Sequence, residues 1–186
     1  MTELPDWAAQ LQLEPHPEGG FYRQTWVSDL TIPKDVLPPG YPAERAAGTA
    51  ILFLLLPGQQ SAWHTVRSAE IWLYHRGAPV ALGLGGDGPE PAGERTVLVG
   101  ADITAGHRPQ YIVAPGEWQR AQPHGDEPSL VSCLSCPAST LPTSPCTDLG
   151  DHRPGRQSAG RVRPACAAFV SRCGTIGGCV KRIRTC

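Results

Sequence analysis

The sequence lacks any apolar run long enough to cross a lipid bilayer. Its longest continuous apolar stretch extends from Ala50 to Leu56, whereas a membrane-spanning helix needs about 20 such residues. The first residues, MTELPDWAAQLQ, are acidic and contain no basic segment followed by an apolar one, unlike a secretory signal. We therefore expect no membrane partner and a cytoplasmic location.

Cysteine is absent before Cys133, and all seven cysteines lie between Cys133 and Cys186. Charge is divided at nearly the same place. Residues 1–136 hold eight Lys and Arg against fifteen Asp and Glu, a net −7, and residues 137–186 hold eight against two, a net +6. Such an asymmetry indicates two segments of different origin or role. We expect a folded domain over residues 1–133 and a Cys-, Arg- and Pro-rich tail over residues 134–186.

The chain also lacks the motifs of nucleotide, zinc and nucleic-acid sites. The glycine-rich residues 83–88 have neither the strand-to-helix setting nor the Lys-Ser/Thr ending of a phosphate-binding loop. Cys133 and Cys136 form one Cys-x2-Cys pair, but no second pair follows to complete a zinc site. The basic tail has no interleaved aromatic residues, so we expect no nucleic-acid partner.

Short apolar segments bounded by glycine and proline make up most of the first 133 residues. A short helix comes first, with an apolar stripe at Leu4, Trp7 and Leu11 and an end before Pro15. A proline-rich loop is expected at residues 31–47. About nine short strands are predicted, at residues 21–28, 49–56, 61–66, 69–76, 78–84, 95–99, 110–113, 119–121 and 130–133. Short strands without intervening helices predict an all-β barrel or double-sheet jelly roll.

The segment from Ser61 to Gly77, SAWHTVRSAEIWLYHRG, combines coordinating and aromatic side chains on predicted strands. Period-two alternation puts Glu70, Trp72 and Tyr74 on one face of the second strand, with His75 on the other. If that face points inward with His64, the segment lines a pocket of aromatic walls and a few polar groups. Such a pocket is typical of small-molecule binding.

The same segment resembles the first motif of the cupin superfamily, G-x5-H-x-H-x3–4-E-x6-G. His64, Glu70 and Gly77 occupy motif positions, whereas Val66 replaces the second histidine. In the second motif, G-x5-P-x-G-x2-H-x3-N, Gln119 replaces the histidine. Two of the four usual metal ligands are therefore changed.

Five ordered strings are similar to one branch of the RmlC-like cupins, catalogued as a domain of unknown function and related in fold to dTDP-sugar epimerases. They are LEPHPEGGFYRQT, TAILFLL, SAWHTVRSAEIWLYHRG, PQYIVAPGEWQRA and SLVSC, and together they cover about residues 10–133. The resemblance implies an all-β cupin double-stranded β-helix, a jelly-roll barrel, here with a short N-terminal helix. It also implies a homodimer and a pocket at His64, Glu70 and Gln119.

Three interpretations of this pocket stay open. His64 and Glu70 are the candidate catalytic pair for isomerase- or epimerase-like proton transfer on a sugar-like or carbonyl metabolite. In a non-catalytic ligand-binding or structural cupin, the same two side chains only satisfy each other. A divalent metal held by His64, Glu70 and Gln119 is disfavoured, because a glutamine carbonyl is a poor exchange for imidazole. The candidate ligand-binding residues are Arg23, Trp72, Tyr74, Gln110, Trp118 and Gln119.

The tail has the character of a shifted reading frame. In related cupins, the cysteine that corresponds to Cys133 is followed by three residues and then by a segment similar to PGFDFADF. Residues 136–144, CPASTLPTS, can be encoded by a message whose alternative frame reads PGFDFADF. One base lost near Leu134 accounts for the shift. We hypothesise that residues from about 134 onward are translated out of frame and, as protein, are mostly disordered.

Overall fold

The fold consists of short antiparallel strands, as described for residues 4–138 by a computed structural model. One four-residue helix, α1 (Asp6–Ala9), precedes them, and a 3-10 turn occupies Lys34–Val36. The strands are β1 (Glu14–Pro15), β2 (Phe21–Val27), β3 (Thr31–Ile32), β4 (Arg45–Ala46), β5 (Thr49–Leu55), β6 (His64–Thr65), β7 (Ala69–Gly77), β8 (Val80–Leu84), β9 (Arg95–Val99), β10 (Gln110–Val113), β11 (Trp118–Pro123) and β12 (Ser129–Cys136). Neither helical segment has the length and hydrophobicity that a membrane span requires in this part of the chain.

Two main sheets organise these strands. The six-stranded sheet has the order β1-β2-β5-β12-β7-β10, and the four-stranded sheet has the order β6-β11-β8-β9. A separate two-stranded sheet joins β3 to β4. Strands distant in sequence are neighbours in space, since β12 pairs with both β5 and β7. This crossing of the chain between two antiparallel sheets is the topology of a jelly roll and confirms the predicted fold class.

The main hydrophobic core is shared by both sheets. Its buried members are Tyr22, Ile51, Phe53, Leu55, Trp72, Val80, Leu82, Leu84, Val99, Val113, Ala121, Val131 and Cys133. A second cluster lies on the other side of β5, where Leu54 is fully buried with Ala8 of α1. Leu4, Trp7 and Leu11 pack against this cluster as predicted, but only Trp7 lies within α1, which is shorter than the predicted helix. Both faces of β5 are therefore covered, which explains why its sequence is apolar throughout.

The connection over residues 31–47 differs from the loop that the sequence predicts. It contains β3, the 3-10 turn and β4, with Thr31 opposite Ala46 and Ile32 opposite Arg45. A two-residue ladder is too short to produce an alternating pattern. The prolines fall between the paired residues, where no ladder hydrogen bond is lost.

The last described strand, β12, is longer than the sequence predicts. It extends to Cys136, three residues beyond the expected end at Cys133. The hypothesis of an out-of-frame, disordered tail falls almost wholly on residues after 138, which lie outside the described residues.

Candidate functional site

A cavity of about 300 Å3 adjoins the inner side of the six-stranded sheet. Four acid–base side chains line it, together with two arginines, several apolar side chains and several small polar ones. They are His16, Glu18, His64 and Glu70; Arg45 and Arg67; Tyr41, Ile51, Phe53, Val66, Trp72 and Ala138; and Ser61, Thr65, Ser68 and Cys133. Of the imidazole, carboxyl, indole and phenol predicted to meet in one pocket, His64, Glu70 and Trp72 line this cavity and the phenol of Tyr74 does not.

Glu70 is the buried acid of the cavity wall, with 8% of its surface exposed. It lies on β7, where the carboxyl accepts a hydrogen bond from the Gln119 amide at Oε2 and a long one, 3.5 Å, from Ser135 Oγ at Oε1. Burial raises the pKa of Glu70 above its ordinary 4.5, although the charge of His64 opposes the rise. The protonated acid is therefore favoured at a higher pH than in an exposed glutamate.

Gln119 is fully buried behind this acid. On β11 it lies directly opposite His64 of β6. Its amide nitrogen donates to Glu70, and its carbonyl oxygen accepts a 3.0 Å hydrogen bond from Trp72 Nε1. Both ends of the amide thus have partners within the protein, and Gln119 acts as a link that holds Glu70 and Trp72.

This link bears on the metal that cupin motifs usually imply. The carbonyl of Gln119, the atom needed as a ligand, is already engaged by Trp72. Val66 stands where the motif has a histidine, and among residues 4–138 no three His, Cys, Asp or Glu side chains are grouped to hold a metal ion. The donor set formed by His64, Glu70 and Gln119 therefore does not fit a metal centre in this arrangement.

His64 is oriented by two acceptors. Its Nδ1 lies 2.9 Å from the Ala62 carbonyl oxygen and 3.4 Å from Glu18 Oε2. Because a carbonyl can only accept, Nδ1 carries the proton. In the neutral ring Nε2 is then the free base, and 16% of the side chain is exposed.

His16 is a cavity residue that no sequence motif indicates, because the string HPEGG at residues 16–20 is typical of a turn. Its Nδ1 accepts a 3.2 Å hydrogen bond from the Glu18 backbone, and its ring packs edge-on against Tyr22 and Phe53. Burial, followed by the charge of His64, lowers the pKa of His16 to about 4. The ring is neutral at physiological pH, with its proton on Nε2.

The connection between β2 and β5, residues 28–48, supplies further cavity residues that no sequence motif indicates. Tyr41 belongs to it, and its hydroxyl lies 3.0 Å from Ser68 Oγ. Cys133 of β12 also lines the cavity, but burial raises the pKa of its thiol well above the ordinary value, so the thiolate is disfavoured.

Five of the six candidate ligand-binding residues lie outside the cavity lining: Gln119 is buried behind Glu70, and the other four are elsewhere. Arg23 contacts Gln12, the Trp118 indole donates to the Gly88 carbonyl at 2.9 Å, and Gln110 is exposed on β10. The Tyr74 hydroxyl donates to the Gly77 carbonyl at 2.5 Å. Tyr74 keeps the face of Trp72, because their partners in β12 are in continuous register and Tyr74 packs against the main core. The register shift falls after it, where β7 has one extra residue, His75, between Tyr74 and Arg76.

The jelly-roll barrel, with His64 and Glu70 in first-motif positions on its cavity wall, defines the chain as a cupin. The family model described as "Cupin superfamily (DUF985)" matches residues 5–141, and this chain belongs to that family.

Two solved structures agree with this assignment. A hypothetical protein from Leishmania major is 34% identical, with 71% of this chain and 80% of that chain covered and a TM-score of 0.62. A protein from Shewanella oneidensis is 31% identical, with 74% and 79% covered and a TM-score of 0.60. No curated protein matches the chain. The predicted family and fold are thereby confirmed.

Proposed function

We propose that this cupin binds a small polar metabolite in its cavity and transfers protons on it, as an isomerase or epimerase does. The observation that carries the proposal is Glu70, an ionisable side chain buried on the wall of an open cavity. Burying a carboxyl group costs free energy. A buried acid with a raised pKa inside a cleft is therefore a candidate for a chemical role.

The size and lining of the cavity favour a ligand about as large as a monosaccharide. A volume of about 300 Å3 is at the lower end of small-molecule pockets. Trp72 and Phe53 offer apolar surface to one face of such a ligand, while the side chains of Ser61 and Thr65 offer hydroxyl groups. This combination suits a sugar-like or hydroxycarbonyl compound.

Glu70 supplies the acid. Gln119 occupies Oε2, which leaves Oε1 as the oxygen that carries the proton, because its contact with Ser135 is long at 3.5 Å. From Oε1 the proton passes to a ligand carbonyl oxygen. A raised pKa keeps this acid protonated over a wider pH range than an exposed glutamate.

His64 supplies the base through Nε2. It takes the proton from the carbon next to the ligand carbonyl while Glu70 protonates the carbonyl oxygen, which gives an enol. His64 then returns its proton to the adjacent carbon, and Glu70 recovers one from the hydroxyl on the original α-carbon. The result is the isomer, with both residues restored and no other reactant consumed.

Solvent exchange tests the proposal directly. A panel of hydroxycarbonyl compounds is screened for thermal stabilisation of the protein, and each hit is incubated in D2O and followed by NMR. We expect deuterium to appear at the carbon next to the carbonyl. His64→Ala and Glu70→Gln should each slow this exchange by about 100-fold or more, the usual contribution of a positioned acid or base.

His75→Ala is the matched control for this experiment. His75 lies on β7, five residues from Glu70, but it is exposed and contacts Ser132 outside the cavity. The control variant should exchange deuterium at the wild-type rate. Hits that bind the wild type without any exchange or conversion would contradict the enzymatic proposal.

A non-catalytic ligand-binding cupin is the second candidate, and one observation favours it. Glu70, Gln119 and Trp72 satisfy one another in a continuous hydrogen-bonded chain without a ligand. In that case His64→Ala should weaken ligand binding, while the wild type converts none of the compounds that it binds.

A further inference from the structure

Two arginines of the cavity have no acidic partner in the described residues. Arg45 of β4 is half-buried, and Arg67, on the connection between β6 and β7, is exposed. Both line the cavity. The ion pairs within residues 4–138 are His64–Glu18, Arg95–Glu117 and Arg120–Glu94, and neither cavity arginine takes part in one. Because a guanidinium group does not lose its proton in proteins, both bring permanent positive charge to the cavity.

The two carboxyl groups of the cavity are engaged elsewhere. Glu18 Oε2 lies 3.4 Å from His64 Nδ1. Glu70 accepts from Gln119 and is driven by burial toward its uncharged form. While His64 is the neutral base, Glu18 is therefore the one carboxylate set against two guanidinium groups, and the net charge of these cavity side chains is positive.

The segments that carry the two arginines are tied together. Tyr41 lies four residues before Arg45, and Ser68 directly follows Arg67. The 3.0 Å hydrogen bond between the Tyr41 hydroxyl and Ser68 Oγ is buried and joins the two segments. Next to Arg45, the Ala46 carbonyl oxygen accepts a 3.0 Å hydrogen bond from the Ala138 backbone. The backbones that carry both guanidinium groups are thus fixed before a ligand arrives.

We propose that Arg45 and Arg67 form an anion-binding subsite of the cavity, so that its ligand carries a carboxylate or phosphate group in addition to the part that faces His64 and Glu70. Guanidinium groups bind both anions through paired, charge-assisted hydrogen bonds, which are about twice as strong as neutral ones. This inference rests on the proposed function, since it names the class of ligand that the same cavity takes.

Matched pairs of probes test the inference by titration calorimetry. Ribose 5-phosphate is compared with ribose, and pyruvate with pyruvamide, so that each pair differs chiefly in one anionic group. The charged member that binds identifies the anion as phosphate or carboxylate. It should bind the wild type about tenfold or more tightly than its neutral partner, and its affinity should fall as salt is added.

Arg45→Gln and Arg67→Gln should each lower the affinity for the charged probe about tenfold or more. The affinity for the neutral partner should stay unchanged. Arg108→Gln is the control, since Arg108 is also exposed but stacks on Tyr111 outside the cavity. It should bind both probes like the wild type. If melting shows that Arg45→Gln is unfolded, the exposed Arg67→Gln decides the outcome.

The results separate this inference from the proposed function. Neutral probes that bind as tightly as charged ones, or charged probes unaffected by both arginine changes, would overturn the anion subsite and leave the proton-transfer proposal standing. Wild-type protein that binds neither charged probe at millimolar concentration would also overturn the subsite. Charged probes that depend on the arginines but show no exchange would support the subsite and count against the enzyme.

Discussion

Glu70 makes the stability of this protein depend on pH in a direction opposite to that of most carboxyl groups. Its pKa is higher in the folded chain than in the unfolded one, where it is near 4.5. The folded state therefore binds the proton more tightly. The contribution to stability is complete below pH 4.5 and is lost as the pH rises through the folded pKa.

Glu70→Gln should remove this loss of folding stability at higher pH, because an amide does not ionise. We expect the melting temperature of the wild type to fall relative to the variant as the pH is raised from about 4 to about 8. Glu90→Gln, which changes an exposed glutamate in the β8–β9 connection, serves as the control. Melting curves for Glu70→Gln and wild type that keep a constant separation over this range would contradict the assignment.

The pKa shift of His16 makes stability depend on pH in the opposite direction, so it does not produce the loss at high pH that is expected from Glu70. Its pKa falls from 6.5 to about 4 on folding. The contribution of the neutral ring is present above pH 6.5 and is lost as the pH falls toward 4. A loss of stability on alkalinisation therefore belongs to Glu70 and not to His16.

The part of the site that follows strand periodicity could be predicted from the sequence. Alternation and the spacing of the cupin motif predict that His64, Glu70 and Trp72 lie together, and all three line the cavity. Arg45 could not be placed, because it comes from a proline-rich connection that has no period. Tyr74 lies on the predicted face with Trp72, but its ring packs against the main core and its hydroxyl donates to the Gly77 carbonyl, so it does not line the cavity.

At the scale of elements, the turn that follows β7 depends on Gly77. Its φ of +87° lies in the left-handed region, and a Cβ atom there would lie 1.7 Å from the Pro128 carbonyl oxygen. Gly116 provides the comparison, since its φ is +78° but a Cβ atom would meet nothing within 4 Å. The two glycines share the conformational demand and differ in the space around them.

Gly77→Ala should therefore destabilise the protein much more than Gly116→Ala. Each variant should lose about 1–2 kcal/mol of folding stability, because alanine is disfavoured in the left-handed conformation. Gly77→Ala must also displace the backbone at Pro128, next to buried Ser129 of β12, so we expect a loss of at least about 3 kcal/mol in total. Urea unfolding of the two variants measures the difference, and equal losses would show that the collision is relieved without cost.

Strands with a covered face were predicted well, whereas the small elements were not. The bounds of β9 and β10 agree with the prediction, and β5 has the continuous apolar sequence of a strand buried on both sides. The paired residues of β3 and β4 number two each, so tertiary contacts rather than local pattern hold them in register. The strands of the two sheets can therefore be predicted from the sequence. The connection between β2 and β5, which contributes Tyr41 and Arg45 to the cavity, cannot.

At the scale of the whole molecule, the fold and family could be predicted because several motifs agree in order over one domain. The homodimer implied by the resemblance stays a prediction. Residues 134–136 have a larger part in the fold than a tail would have. They belong to β12, the strand between β5 and β7, and Ser135 contacts the carboxyl of Glu70.

The reading frame near Leu134 consequently affects the site as well as the end of the chain. A base lost there changes the side chains of residues 134–136, among them the one beside Glu70, and converts a PGFDFADF-like segment into the observed PASTLPTS. We predict that sequencing across codons 130–145 finds one additional base, and that peptide mapping of protein from its native source recovers PGFDFADF. Codons 49–84 provide the control, since their frame should agree with the sequence throughout. An unchanged base count, together with recovery of PASTLPTS peptides, would establish the observed frame and Ser135 as the native neighbour of Glu70.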